Sequence, residues 1–201
     1  MGKIIHNVGN LVDIPDDCRT TKYDSEDNII FVGKMSYEPN VVAVSYFATR
    51  IYPKLKLKFP NLLFTIIGAN PDERVNKLTE FEGISVTGFV DSVEPYFQHS
   101  TIVIAPMLTG AGIQNKIIQA MSYGCCVATS PIGAEGLSIT NNEIAIYQNE
   151  ADWISGLTLL LTDKNIRKEM GIKAREYVKK NLSREIIAKQ FWEFINYPLQ
   201  K

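Results

Sequence analysis

Cysteine and histidine are scarce in this sequence, which has three cysteines and two histidines among 201 residues. Cys125 and Cys126 are adjacent in an apolar stretch, so the three cysteines cannot build a disulfide framework. Neither a Cys-x-x-Cys pair nor a histidine cluster with metal-ligand spacing is present. We therefore expect no bound metal ion, and a protein of the reducing cytoplasm.

Long apolar runs and an excess of one charge are also lacking. No run of about 18 or more apolar residues occurs, so we expect no transmembrane helix. The 21 lysines and arginines nearly balance the 22 aspartates and glutamates, which gives no reason to expect nucleic acid as a partner. The length suits one α/β domain with a sizeable core, with or without a helical tail.

A strand, a glycine-rich turn and a helix follow one another in TIVIAPMLTGAGIQNKIIQAMSYG, residues 101–124. The apolar run at 101–106 is typical of a strand that is covered on both faces. Gly110 and Gly112 would let the backbone approach a ligand without Cβ obstruction. A helix starting near Ile113 would direct free N–H groups and the positive end of its dipole at that ligand. The segment is neither a P-loop nor a dinucleotide fingerprint, but it predicts an anion site.

Helical spacing adds side chains to this anion site. Asn115, Lys116 and Gln119 are three or four residues apart, so we expect them to share one polar face. The opposite, buried face would carry Ile113, Ile117, Ile118 and Met121.

Strands and helices alternate along the rest of the chain, which predicts a doubly wound parallel sheet with helices on both faces. The predicted strands are residues 29–32, 62–67, 84–87, 101–105 and 125–129, with short strands at 3–8 and, at the sheet edge, 145–147. One helix face runs through 41–55, and everything from 150 onward reads as helical, with breaks near 162–163 and 181–183. In such sheets a ligand binds at the carboxyl ends of the strands.

Five segments resemble, in order, the C-terminal nucleotide-sugar-binding half of a GT-B glycosyltransferase, close to the large retaining family 4. They are FVGKMSYEPN at 31–40, FPNLLFTIIGANP at 59–71, ISVTGFVDSVEPYFQHSTIVIAP at 84–106, the glycine turn with its helix, and YVKKNLSREIIAKQF at 177–191. The resemblance covers about residues 28–195. It implies a Rossmann-like sheet with a helical C-terminal tail, which is one half of a GT-B fold.

The same resemblance implies a domain layout and an activity. Residues 29–201 would form the nucleotide-sugar-binding domain, and residues 1–28 an N-terminal strand and linker from an upstream acceptor domain. The enzyme would be a retaining hexosyltransferase of polysaccharide biosynthesis. It would move sugar from a nucleoside diphosphate sugar to a glycan or lipid-linked acceptor, without a metal cofactor, and this half alone would be inactive. Peripheral association of the full-length protein with the inner face of the membrane is compatible with that role.

The sequence departs from the family at several site positions. The family brackets this helix with a Glu-x7-Glu pair, for the donor sugar and the ribose, where this chain has Ala111 and Gln119. Gln119 can still bond ribose hydroxyls, whereas Ala111 only leaves room for a sugar. A family Gly-Arg followed by a lysine corresponds here to Gly33, Lys34 and Pro39. We expect Lys116 to supply the missing charge from the opposite side of the crevice, facing Lys34.

Further candidates lie in two other loops. In the turn at Gly88 and Phe89 the resemblance implies backbone contacts to the base, although a structural turn explains these residues almost as well. Glu135 would lie near the sugar or ribose, or serve as a helix-capping loop residue. We expect a surface or capping role for His99. The full set of candidate binding residues is Gly33, Lys34, Gly88, Phe89, Gly110, Ala111, Gly112, Ile113, Lys116, Gln119 and Glu135.

Two other functions remain open at this point. Loss of both family carboxylates suits a non-catalytic nucleotide-sugar-binding or scaffold subunit of a glycan biosynthesis system. A nucleotide-sugar epimerase can share the GT-B fold. No catalytic residue is assigned, because a base toward the acceptor hydroxyl would lie in the other domain.

Overall fold

A computed structural model describes residues 12–16, 27–140 and 142–195. These residues form a six-stranded, entirely parallel sheet in the order β3-β2-β1-β4-β5-β6. The strands are β1 (Asn28–Val32), β2 (Leu63–Ile67), β3 (Ile84–Val86), β4 (Ile102–Ala105), β5 (Val127–Thr129) and β6 (Ala145–Ile146). Chain order reverses between β1 and β4, which pair through Ile29 with Ile102 and Ile30 with Val103. The crevice beyond the carboxyl ends of β1 and β4 is therefore the topological switch point, where ligands of such sheets bind.

Helices flank the sheet and follow its strands. They are α1 (Glu38–Tyr46), α2 (Tyr52–Lys58), α3 (Glu73–Asn76), α4 (Glu94–His99), α5 (Asn115–Ser122), α6 (Glu150–Thr162), α7 (Lys164–Asn181) and α8 (Arg184–Ile195). β1 and β4 are almost wholly apolar runs, and their residues 29–31 and 102–105 are at most 2% exposed. Such continuous apolar strands need cover on both faces, which the helices provide. The predicted fold class and helical tail are confirmed.

The helix predicted over residues 41–55 is not continuous. A π-helical segment, Phe47–Ile51, separates α1 from α2, and the Tyr52 amide bonds the Phe47 carbonyl five residues back. Pro53 has no N–H to donate to the regular ladder, so the preceding turn widens to accommodate it. Apolar spacing alone does not show this insertion.

Side chains define the ends of the C-terminal helices. The Asp163 carboxylate accepts from the amides of Asn165 at 2.8 Å and Ile166 at 3.1 Å, which caps α7. Buried Arg167 donates to the carbonyls of Leu160 at 2.5 Å and Leu161 at 2.9 Å, which ends α6. The expected breaks near 162–163 and 181–183 are confirmed.

The N-terminal segment 12–16 has no regular structure but is packed against the helical tail. Arg175 donates to the Pro15 carbonyl at 2.5 Å and also to the Ser122 carbonyl at the end of α5. Arg184 pairs with Asp13 at 3.1 Å. The predicted strand at 3–8 lies outside the described residues, and most of the predicted linker does too.

Candidate functional site

The glycine turn after β4 lies at the switch point. Gly110 and Gly112 have φ of 125° and 76°, the left-handed region that favours glycine. Gln114 remains extended, and α5 begins at Asn115, two residues later than the sequence predicts. A Cβ at Gly112 would meet no heavy atom within 4 Å. Backbone conformation rather than crowding therefore requires glycine there, and the turn is open to a ligand.

Lys116 enters the switch point from the first turn of α5. Its ammonium lies 4.4 Å from the centre of the Phe31 ring on β1 and 3.8 Å from Met107 Sδ after β4. It donates a short hydrogen bond to Asn40 Oδ1. Among the described residues no carboxylate forms an ion pair with Lys116. Burial lowers the pKa of its ammonium to about 8.

Asn40 connects this ammonium to the loop after β1. Asn40 is 4% exposed, and its Nδ2 donates to the Lys34 carbonyl at 3.0 Å while Oδ1 accepts from Lys116. Lys34 itself is exposed. The Asn40 amide thus links the Lys116 ammonium to the backbone of Lys34. That the two ammonium groups face each other stays a prediction.

Two glycines bring the loops after β1 and β2 into close contact. A Cβ on Gly68 would lie 1.6 Å from the Gly33 carbonyl oxygen, and one on Gly33 would lie 2.6 Å from Asn40 Nδ2. Gly33 also donates to the Ile67 carbonyl at 3.0 Å. Gly33 therefore has a structural role: it leaves the space that the Asn40 side chain occupies.

The expectation that Asn115, Lys116 and Gln119 share one face is wrong for Lys116. Asn115 and Gln119 line an outer groove of about 420 Å³ with Val12, Asp13, Ile118 and Tyr123. Lys116 is about 100° around the helix from Asn115, and its long side chain extends toward β1 instead. Ile117, Ile118 and Met121 are buried as predicted, while Ile113 is partly buried and precedes the helix.

The remaining candidates surround this crevice on neighbouring loops. Gly88 has φ of 71° and accepts at its carbonyl from the Gly68 amide at 3.2 Å, so its turn has a structural function. Phe89 next to it is 75% exposed.

Glu135 is exposed, and a Cβ on Gly136 would lie 2.8 Å from Ile113 Cγ1, so the loop after β5 packs on the glycine turn. Ala111 is exposed too. Ligand contacts by these residues stay predictions.

Sequence reasoning missed Asn40, Phe31 and Met107. Asn40 follows a proline at the start of a helix, where a solvent-facing residue is ordinary, and its partner is 76 positions away.

His99 is exposed, with Nδ1 2.6 Å from the Pro95 carbonyl of its own helix, in keeping with the expected surface or capping role. α4 ends just before β4 begins, so His99 lies at the sheet edge opposite the switch point.

The described residues contain neither a metal-binding cluster nor a membrane-spanning helix. No group of three or more His, Cys, Asp or Glu side chains there is placed to hold a metal ion. None of the helices in the described ranges is both long and apolar enough to cross a bilayer.

Sequence comparisons identify relatives that are about twice as long. The family model for glycosyl transferases group 1 matches residues 26–163. An uncharacterised 44.6 kDa protein in the cps region of Klebsiella pneumoniae is 24% identical over 187 residues, which cover 86% of this chain and 48% of that protein. An uncharacterised glycosyltransferase of Methanocaldococcus jannaschii is 27% identical over 179 residues, which cover 85% of this chain and 45% of that protein. The chain spans about half the length of these curated relatives.

The fold also matches that of solved structures. TarM of S. aureus, crystallised as a mutant with fondaparinux, alpha-GlcNAc-glycerol and UDP, aligns with a TM-score of 0.79 at 18% sequence identity. The alignment covers 94% of this chain and 39% of TarM. At this identity the likeness concerns the fold, and it extends over the sheet and the helical tail together.

Proposed function

Since this chain belongs to the glycosyl transferases group 1 family, we propose that it is the donor-binding half of a sugar transferase that uses a nucleoside diphosphate sugar. The observation that carries the proposal is the position of Lys116. Its ammonium lies between the ends of β1 and β4, beside an open glycine turn, where this type of sheet binds ligands.

The site suits the chemistry of a diphosphate leaving group. When the bond from the sugar to the diphosphate breaks, negative charge accumulates on the phosphate oxygens. The N-terminal turn of α5, the Lys116 ammonium and the exposed Lys34 side chain can stabilise that charge. The Asn40 amide holds the Lys116 ammonium in place before the reaction. In this proposal the transfer needs no metal cofactor.

The ribose, base and sugar are assigned to the surrounding loops. Gln119 would bond ribose hydroxyls from the outer face of α5. The backbone at Gly88, with exposed Phe89, would contact the base. Glu135 and the open space beside Ala111 would accommodate the donor sugar. Support for the loop roles comes from the positions of Gly88, Ala111 and Glu135, which follow β3, β4 and β5 at the carboxyl edge of the sheet.

The rest of the reaction belongs to a longer protein. The matched region covers only about half of each curated relative. We propose that a second half, like the unmatched half of those relatives, binds a glycan or lipid-linked acceptor and closes over the donor. The proposed setting is polysaccharide biosynthesis in the cytoplasm, with peripheral attachment to the inner face of the membrane. Support comes from a relative in a cps region and from TarM, crystallised with UDP and alpha-GlcNAc-glycerol. Retention of configuration is part of the same proposal.

A non-catalytic donor-binding subunit is the second candidate function. It is favoured by Ala111 and Gln119, because neither residue supplies the carboxylate that family members place toward the donor sugar and the ribose. Both candidates share the same donor site. They differ in whether the full-length protein transfers sugar.

Titration of the 201-residue chain with UDP and GDP by calorimetry and NMR tests the donor site. We expect weak binding, of about 0.1–1 mM, because one wall of the cleft leaves the phosphates solvated. Lys116→Ala should weaken binding by about tenfold or more, whereas Lys58→Gln, at the opposite edge of the sheet, should leave it unchanged. No binding to either nucleotide, or equal binding by Lys116→Ala, would contradict the proposed site. Sugar transfer by the full-length protein then separates the two candidate functions.

A further inference from the structure

Asn40 is a buried polar side chain to which no donor contact has been assigned. Its amide is almost wholly buried, at 4% exposure, and both of its polar atoms are used. Oδ1 accepts from the Lys116 ammonium, and Nδ2 donates to the Lys34 carbonyl at 3.0 Å. One side chain therefore ties α5 to the loop after β1, across the switch point.

Apart from the Asn40 amide, the surroundings of the Lys116 ammonium are mostly apolar. In the described part of the chain, Oδ1 of Asn40 is the only oxygen that accepts from the ammonium, since the other contacts are the Met107 sulfur and the Phe31 ring. The loop at 106–114 and the rest of α5 have no charged residue. On the β1 side, Lys34 is exposed and Glu38 is held by Arg74 at 2.6 Å. Within the described ranges, no carboxylate forms an ion pair with Lys116.

We propose that Asn40 is a positioning residue, which holds the Lys116 ammonium between the ends of β1 and β4 so that it meets the donor diphosphate. The inference rests on the proposed function. A neutral amide suits this task because its oxygen stabilises an ammonium without cancelling its charge. A carboxylate in the same place would compete with the phosphates for Lys116.

The amide also affects the protonation of Lys116. Burial disfavours the charged ammonium and lowers its pKa to about 8, whereas a hydrogen-bond acceptor favours the charged form. Removing the acceptor should lower the pKa further, and a carboxylate should raise it. Asn40 should thereby raise the highest pH at which the site still presents a cation.

The first test measures Lys116 directly in the ligand-free chain, by NMR of lysine labelled with carbon-13 at Cε. We expect a lower Lys116 pKa in Asn40→Ala and a higher one in Asn40→Asp. Asn40→Asp keeps the size of the side chain, so it guards against loss of fold in Asn40→Ala. An unchanged Lys116 pKa in Asn40→Asp would overturn the proposal whether or not any nucleotide binds.

The second test compares binding of UDP and of inorganic pyrophosphate at about pH 7 and pH 8.5. This range spans the Lys116 pKa of about 8, but lies above the pKa of the terminal phosphate of UDP, near 6, and below the last pKa of pyrophosphate and the pKa of uracil. In the unmodified chain we expect affinity to fall about threefold across this range. Asn40→Ala should bind about three- to tenfold more weakly at pH 7. Asn40→Asp should bind weakly at both pH values, with little dependence on pH.

The outcomes separate this proposal from the donor function. No binding of UDP or pyrophosphate by the unmodified chain would refute the donor site, while the NMR result still decides the Asn40–Lys116 link. Normal UDP binding with an unaltered pH profile in both Asn40 variants would leave the donor site standing and overturn the positioning role. A matching loss in Lys58→Gln would show that the effect is one of overall charge, and would likewise overturn it.

Discussion

The ammonium of Lys116 lies 4.4 Å from the centre of the Phe31 ring, so the first turn of α5 is in direct contact with the central strand β1. A cation over a ring face is attracted to it, but the ring supplies no hydrogen bond. The ring contact helps to hold the ammonium at the base of the crevice. After its bonds to Asn40 and Met107, one N–H remains for a ligand. The base of the crevice therefore presents the single positive charge of Lys116 in apolar surroundings formed by Phe31 and Met107.

Stability should depend on pH through Lys116. Its pKa is about 8 in the folded chain, below its ordinary value of 10.5, so the unfolded state binds more protons between these values. The free energy of unfolding therefore increases, by on the order of 2 kcal/mol, as pH rises from about 8 to 10. The folded protein is more stable at the higher pH. Urea unfolding of the unmodified chain and of Lys116→Met across this range checks the prediction. Parallel curves for the two proteins would contradict it.

Tyr52 should act in the opposite direction at higher pH. Its hydroxyl donates to the carbonyls of Leu62 at 2.8 Å and Glu82 at 3.2 Å, and burial raises its pKa to about 12. Because the unfolded tyrosine ionises near pH 10, stability is lost as pH rises beyond that value. Tyr52→Phe should cost about 1 kcal/mol at neutral pH and reduce the alkaline loss. Unfolding by urea at about pH 8 and pH 11 is the measurement, and an equal alkaline loss in both proteins would refute it.

Gly68 and Gly112 should respond differently to alanine. A Cβ on Gly68 would lie 1.6 Å from the Gly33 carbonyl oxygen, so Gly68→Ala should cost about 4 kcal/mol or more, or prevent folding. At Gly112 only φ is unfavourable, so Gly112→Ala should cost about 1–2 kcal/mol and keep the fold. Thermal unfolding compares the two. A stable Gly68→Ala chain would show that the loops after β1 and β2 can separate.

Arg175 should anchor the N-terminal segment 12–16. Its guanidinium bonds the carbonyls of Pro15 and Ser122, and a lysine cannot reach both. Arg175→Lys should cost about 1–2 kcal/mol and speed proteolytic cleavage near this segment. Arg184→Lys, which alters the exposed pair with Asp13, should cost less than about 0.5 kcal/mol. Equal protease resistance in both variants would mean that other contacts hold the segment.

The fold was more predictable from sequence than the site. Apolar runs such as residues 29–32 and 101–105 fix buried strands because only a doubly covered sheet can bury them. The position of Lys116 depends instead on Asn40, Phe31 and Met107, which are far apart in sequence and meet only once β1 and β4 pair. Hydrophobic periodicity has no signal for a buried polar contact of that kind. The spacing of Asn115 and Lys116 to Gln119 also suggested a shared face, but adjacent residues point about 100° apart around a helix, so Lys116 lies on a different face from Asn115.

The short outer strands have a consequence for how this molecule behaves in concentrated solution. β6 has two residues and β3 three, so the rims of the sheet present few unpaired backbone groups to another chain. Aggregation by strand addition needs a longer, flatter template than either rim provides. In the described part of the chain, the margins of a sheet rich in β-branched residues are therefore too short to offer a good template for fibril growth.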